Sequence, residues 1–162
     1  LKLPLELRPI KLSPHFTLAA LTYSDTARQH GLDNQPAEEH LANLRRLARS
    51  LESIQQLLGH PVSITSAYRS PELNRLVGGV PTSRHALGLA VDFVCVPFGS
   101  PLAVAQAIAA SAIRFDQIIH EYGRWVHFGL APRGGKARHE LLTICSAQEG
   151  YMNGLAPCRS AA

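Results

Sequence analysis

Two segments of this 162-residue chain carry side chains of the kind that hold a metal ion and activate water. In Ser83-Arg84-His85-Ala86-Leu87-Gly88-Leu89-Ala90-Val91-Asp92, an aspartate follows a histidine by seven residues. Read as extended from Gly88 onward, the segment puts Gly88, Ala90 and Asp92 on one face and Leu89, Val91 and Phe93 on the other. The second face is apolar and core-directed. The first sets a carboxylate beside two very small residues, which leaves space that a purely structural strand would fill with bulk. In Arg124-Trp125-Val126-His127-Phe128-Gly129-Leu130 the same logic separates Val126, Phe128 and Leu130 from Trp125, His127 and Gly129. Zinc takes nitrogen, oxygen or sulfur ligands in a tetrahedral array, and a catalytic zinc leaves one position for water. His85, Asp92 and His127 on neighbouring strands would supply three ligands. The chain has eight histidines, and His15, His30, His40, His60, His120 and His139 have no partner spacing that singles them out. Spacing and faces alone leave two readings open: a three-ligand site, or packed and ion-paired side chains.

These segments need elements to position them. The spacing predicts a first helix over 17–27, then a turn at Gly31-Leu32-Asp33-Asn34-Gln35. Pro36 suits a first helical position, and Glu38 and Glu39 suit the positive end of a helix dipole. Leu41, Leu44, Ala48, Leu51, Ile54 and Leu58 then recur every three or four residues as one apolar stripe, ended by Gly59. Alternation over 62–66 predicts a strand. A short helix over 71–77, a strand over 88–96 and an Ala-rich helix over 101–113 follow. Strands over 117–121 and 125–130 flank a turn at Tyr122-Gly123-Arg124. Beyond Pro132 the pattern fades. The expectation is an α+β fold, a small antiparallel sheet flanked by helices. One domain spans 1–162, with a core over about 16–131 and a weakly assigned segment over 132–162.

Apolar residues make up 46% of the chain and charged residues 17%, so a packed core is feasible and wholesale disorder excluded. The formal charge of +4 suits an acidic partner, either nucleic acid or the anionic bacterial wall. The basic residues are scattered. The densest cluster, Arg45, Arg46 and Arg49, lies on a helix and reads as a solvated face, with no interleaved aromatics to stack bases. Nucleic acid is therefore not expected as a partner. No apolar run is long enough for a transmembrane helix, and residues 1–12 lack the continuous apolar stretch of a secretory signal. Synthesis in the cytoplasm, or removal of a leader, are both compatible with that, and a monomer is the default. Cys95, Cys145 and Cys158 are too few for a disulfide framework or a cysteine zinc site. Cys145 and Cys158 could pair, but buried reduced thiols are the slightly favoured expectation.

The block Ser83-x-His85-x-x-Gly88-x-Ala90-x-Asp92, followed by Trp125-Val126-His127, resembles the zinc D-Ala-D-Ala carboxypeptidase family. That family includes vancomycin-resistance D,D-dipeptidases and the L-alanyl-D-glutamate endopeptidases of phage endolysins. Upstream, Ser66-Ala67-Tyr68-Arg69-Ser70-Pro71-Glu72-Leu73-Asn74 and Gly78-Gly79-Val80-Pro81 are similar to its phage and prophage branch, and the likeness runs from about 16 to 130. The resemblance implies the fold shared with the zinc-bearing signalling domain of hedgehog proteins. It implies one zinc ion on His85, Asp92 and His127, and peptidoglycan peptides as substrate at the cell wall or periplasm. Arg69 corresponds to the arginine that binds the scissile carbonyl, where a guanidinium stabilises developing negative charge. Ser83 and Tyr68 are further candidates for substrate contact, with turn capping and core packing as their ordinary alternatives.

A general base is also needed to take the proton of the attacking water. Many family members carry an acid three residues before the last histidine ligand, where this chain has Arg124. The nearest carboxylate is Glu121, across the short turn, and it is assigned as the base with Asp116 as the fallback. Arg124 keeps a second function class in play, a zinc-stabilised module that binds wall peptides or a protein without cutting.

Overall fold

The computed structural model describes residues 9–159. Helices α1 (Leu18–Thr22), α2 (Asp25–Gln29) and α3 (Glu38–Leu58) precede strand β1 (Ser63–Ser66). Then come α4 (Pro71–Leu76), a single 3-10 turn (Arg84–Leu87), β2 (Ala90–Val94), α5 (Pro101–Ala109), β3 (Gln117–Glu121), β4 (Trp125–Gly129), β5 (Glu140–Ile144) and β6 (Tyr151–Asn153). The strands form one six-stranded sheet in the order β1-β2-β4-β3-β5-β6, antiparallel throughout except for the β3–β5 pair. The fold is the expected α+β class, a mostly antiparallel sheet with helices.

Each short helix begins where a hydroxyl satisfies a free N–H of the first turn. Thr17 caps α1, Ser24 α2, Ser70 α4 and Ser100 α5, with Pro71 and Pro101 in the first helical turn behind the last two. The cap at Ser24 divides the expected 17–27 helix, because Tyr23 turns extended to let Ser24 start a new one. α3 is the long element its stripe predicts. Leu44, Leu47, Ala48, Leu51, Ile54 and Leu58 are buried, and Gly59 ends it at φ 67°. It starts at Glu38 behind Ala37, so Pro36 lies before the helix rather than in its first turn.

One face of the sheet closes the core. Val91 and Phe93 from β2, Ile118 from β3, and Val126 and Phe128 from β4 join the α3 leucines and Val104, Ala105 and Ile108 of α5 in one apolar cluster. Burying each of the larger side chains contributes about 1.5–3 kcal/mol, most of it offset by lost chain entropy. The opposite face is where Asp92, His127 and Glu121 lie, by the two-residue alternation along each strand.

The expected core of 16–131 stops short of the sheet. β5 pairs parallel with β3 and β6 pairs with β5, so two strands lie in the region where the sequence pattern faded. Cys145 and Cys158 form a disulfide that ties the end of β5 to the segment after β6, and only Cys95 is a free, buried thiol. The expectation of reduced thiols is thus overturned for the pair and holds for Cys95. Among the described residues no helix is long and apolar enough to cross a membrane. The reading of residues 1–8 lies outside the described residues.

Candidate metal centre

Strand register brings two of the three donors together. Asp92 of β2 pairs directly with His127 of β4, so both side chains rise from the same row on the same face. His127 Nδ1 lies 2.9 Å from Asp92 Oδ1. The third donor comes from the 3-10 turn. Ser83 caps that turn, its hydroxyl accepting from the His85 N–H at 3.3 Å, and Asn43 of α3 holds the far end by donating to the Leu87 carbonyl at 2.9 Å. His85 Nε2 then stands 3.3 Å from the same Asp92 oxygen. His85, Asp92 and His127 are all buried, and one ligand atom of each lies within 4.8 Å of the others. No other such group of three or more occurs among the described residues.

Gly88 makes this approach possible in a way the extended reading missed. It does not belong to β2. It ends the 3-10 turn at φ 67°, and a Cβ there would stand 3.0 Å from the His40 carbonyl oxygen and 3.0 Å from Leu44 Cγ. The small residue is required by backbone conformation and by α3, not by open space at the metal. Ala90 and Gly129 do keep the expected face, as Cα partners across β2 and β4.

The surroundings of His85 and Asp92 suit metal binding. His85 Nδ1 sits 2.7 Å from the Ala67 carbonyl, which can only accept, so Nδ1 carries the hydrogen and Nε2 presents its lone pair inward. Burial also pushes the His85 imidazole down, partly countered by Asp92, which keeps it neutral. Burial would raise the Asp92 carboxyl, but the charges and hydrogen bonds of His85 and His127 outweigh it and hold it well below the usual carboxylate range. Imidazole nitrogens from two histidines and one carboxylate are a donor set that fits zinc.

Arg69 reaches the same place from the segment after β1. Its Nη2 lies 3.4 Å from Asp92 Oδ2 and its Nε donates to Ser66 Oγ at 3.2 Å. Its backbone N–H donates to the His85 carbonyl at 3.1 Å, joining it to the 3-10 turn. Asn34, which sequence reasoning read only as part of a turn, fixes this segment from below. Its buried amide donates to the Thr22 and Tyr68 carbonyls and accepts from the Ser70 N–H. A cleft of about 240 Å³ opens beside Arg69, with Ser66 and Thr65 on its walls. Tyr68 borders this cleft but is only 3% exposed and belongs to the apolar core.

Glu121 ends β3 opposite Trp125, two pairs beyond Ile119 and His127 and so on the same face. Its Oε2 accepts from Trp125 Nε1 at 2.9 Å. Burial raises its carboxyl, and the nearby Asp92 charge raises it further, against the pull of His127, Trp125 and Arg69. Trp125 is therefore a partner of Glu121 that sequence reasoning missed, although its place on the open face signalled it. Arg124 is exposed in the turn, pointing to no role in the buried group. Asp116, the fallback base, is spent elsewhere. It is 1% exposed and accepts from Arg138 Nε and Nη2 at 3.1 and 2.7 Å, so it cannot serve as a free base.

Comparison with known families decides what kind of centre this is. Residues 14–129 match the family described as Peptidase M15. The chain belongs to the peptidase M15 family. It is a zinc metallopeptidase of peptidoglycan, and the buried His-Asp-His group is a place for its one metal ion. No curated protein matches the chain as a relative.

Proposed function

We propose that the chain hydrolyses peptide bonds in peptidoglycan stem peptides, as a D-Ala-D-Ala carboxypeptidase or an endolysin-type endopeptidase, within one peptidase domain. The observation that carries this reading is the convergence of His85, Asp92 and His127 with Arg69 and Glu121 at one face of the sheet. His85, Asp92 and His127 would hold zinc, which supplies a Lewis acid that makes water nucleophilic near neutral pH. Arg69 holds the scissile carbonyl oxygen and stabilises the negative charge that grows there. Glu121 takes the proton of the attacking water and passes it to the leaving amine, so no covalent intermediate with the chain is required. Ser83 acts by fixing the turn that carries His85. Tyr68 is assigned a wall of the cleft beside Arg69.

The non-catalytic binding module rested on Arg124 in place of the usual acid. Membership of a peptidase family and the placing of Glu121 beside Asp92 and His127 favour the enzyme. The test is digestion of isolated peptidoglycan by zinc-loaded protein, with released peptides followed by mass spectrometry. Wild type should cut, and chelation should stop it. Glu121→Gln should keep zinc and lose roughly 10²–10⁴-fold in rate. Full activity in that variant overturns the assignment of the base, and fragment masses name the bond.

A further inference from the structure

A cavity of about 660 Å³ lies between α3, the turn after α5 and the end of β4, and none of the donor residues lines it. Its polar wall is made by Arg46, Arg49 and Arg114, with Ser53 and Ser111 between them. Arg46, Arg49 and Ser53 follow one another at helical spacing along a single stripe of α3 beside its buried leucines. The sequence reading treated Arg46 and Arg49 as an ordinary solvated face. The fold instead brings Arg114, distant in the chain, to the same groove.

The charge there is uncompensated. No carboxylate lines the groove, and none of these arginines makes an ion pair among the described residues. Arg46 is held by its Nη2, which donates to the Ala131 carbonyl at 3.1 Å, while its buried Nη1 has no acceptor. That atom is shut off from solvent, so the exposed guanidinia of Arg49 and Arg114 are the donors available to a ligand, and an oxyanion is their natural complement. Leu57, Ile113 and Leu130 provide apolar surface beside the guanidinia. Such a mixture suits a sugar, whose ring carries apolar C–H faces, bearing an anionic substituent. No aromatic side chain lines the groove to stack a base.

We propose that this groove binds an anionic glycan of the cell wall, its charge carried by phosphate or carboxylate, apart from the cleavage centre. The assignment of the glycan to the wall rests on the peptidoglycan reading above. Binding there would hold the peptidase on the polymer that presents its substrate.

The test measures fluorescence anisotropy of a labelled sugar-phosphate oligomer and a labelled oligogalacturonate, with neutral dextran as reference, against the zinc-loaded full chain. One charged glycan should bind at least about ten-fold more tightly than dextran, and Arg49→Gln/Arg114→Gln should lose at least about ten-fold. The better ligand tells phosphate from carboxylate. Arg49 and Arg114 are exposed, so the double variant keeps its core and should cut a soluble stem peptide as wild type does. Binding of neither glycan, affinity that survives the double variant, or equal affinity for a DNA duplex of the same charge would overturn the proposal. A wild type that binds glycan but leaves the stem peptide whole would sink the substrate reading and leave the groove standing.

Discussion

Glu121 combines two opposing influences whose balance sets when it can accept a proton. Burial, and then the Asp92 charge, disfavour its ionised form, while the indole N–H of Trp125 favours it. The base proposed above works only when deprotonated, so activity should fall as pH drops through the raised pKa of Glu121, above the roughly 4.3 of an ordinary glutamate. Trp125→Phe removes the donor that lowers the pKa. The acidic limb of kcat/KM should therefore move to higher pH, with zinc content unchanged. A limb that stays in place after this substitution means that Glu121 is not the titrating base. At this scale much was legible beforehand. Alternation along each strand announced the face that Asp92 and His127 share with Ala90 and Gly129. Other supports were not legible, because Ala67, which holds His85, and Asn34, which holds the segment of Arg69, act through contacts that no local pattern encodes.

The elements differ in how far their sequence determines them. α3 carries six turns of one stripe, and β2 and β4 each alternate cleanly, so their existence and faces follow from periodicity. β5 and β6 escaped for physical reasons. β5 follows a Gly-containing loop, and its pairing is parallel, to β3 on the far side of the β3–β4 hairpin. β6 has three exposed residues, too few to show a period. The 3-10 turn escaped because Gly88 reads equally well as the start of a strand and as its true role, the left-handed end of a turn. Gly88→Ala should cost about 1–2 kcal/mol from the left-handed conformation alone. The added methyl also presses on Leu44 and on the His40 carbonyl. Since the turn carries His85, zinc affinity should weaken along with thermal stability, as titration calorimetry and thermal melts would show. A variant with wild-type zinc affinity would mean that the turn tolerates the shift without moving His85.

Across the whole molecule, the C-terminal strap is the main addition to the part that matches the family. Thr143 Oγ1 donates to the Gly154 carbonyl and accepts from the Ala156 N–H, and the Cys145–Cys158 disulfide closes the strap. With a sequence separation of 13 between the two cysteines, the cross-link should contribute roughly 2–4 kcal/mol by restricting the unfolded chain. Cys145→Ser/Cys158→Ser should lower the denaturant midpoint accordingly, and an unchanged midpoint would show that the hydrogen bonds alone hold the strap. The turn between β3 and β4 has a wider reach. It joins Glu121 to Trp125 through Tyr122, Gly123 and Arg124, with Tyr122 and Gly123 both at positive φ and the Arg124 N–H returning to the Glu121 carbonyl at 2.9 Å. Side chains along a strand alternate, so what this connection conserves is parity. One residue added there, with the β2 pairing shifted to match, would exchange the row of His127 for that of Val126 and Phe128. The His127 imidazole would face the leucines of α3, and the core would open to water. Chain length at a solvent-exposed turn thus acts as a counting device. Chemistry and packing are assigned to opposite faces by an even or odd number, before any side chain makes a contact.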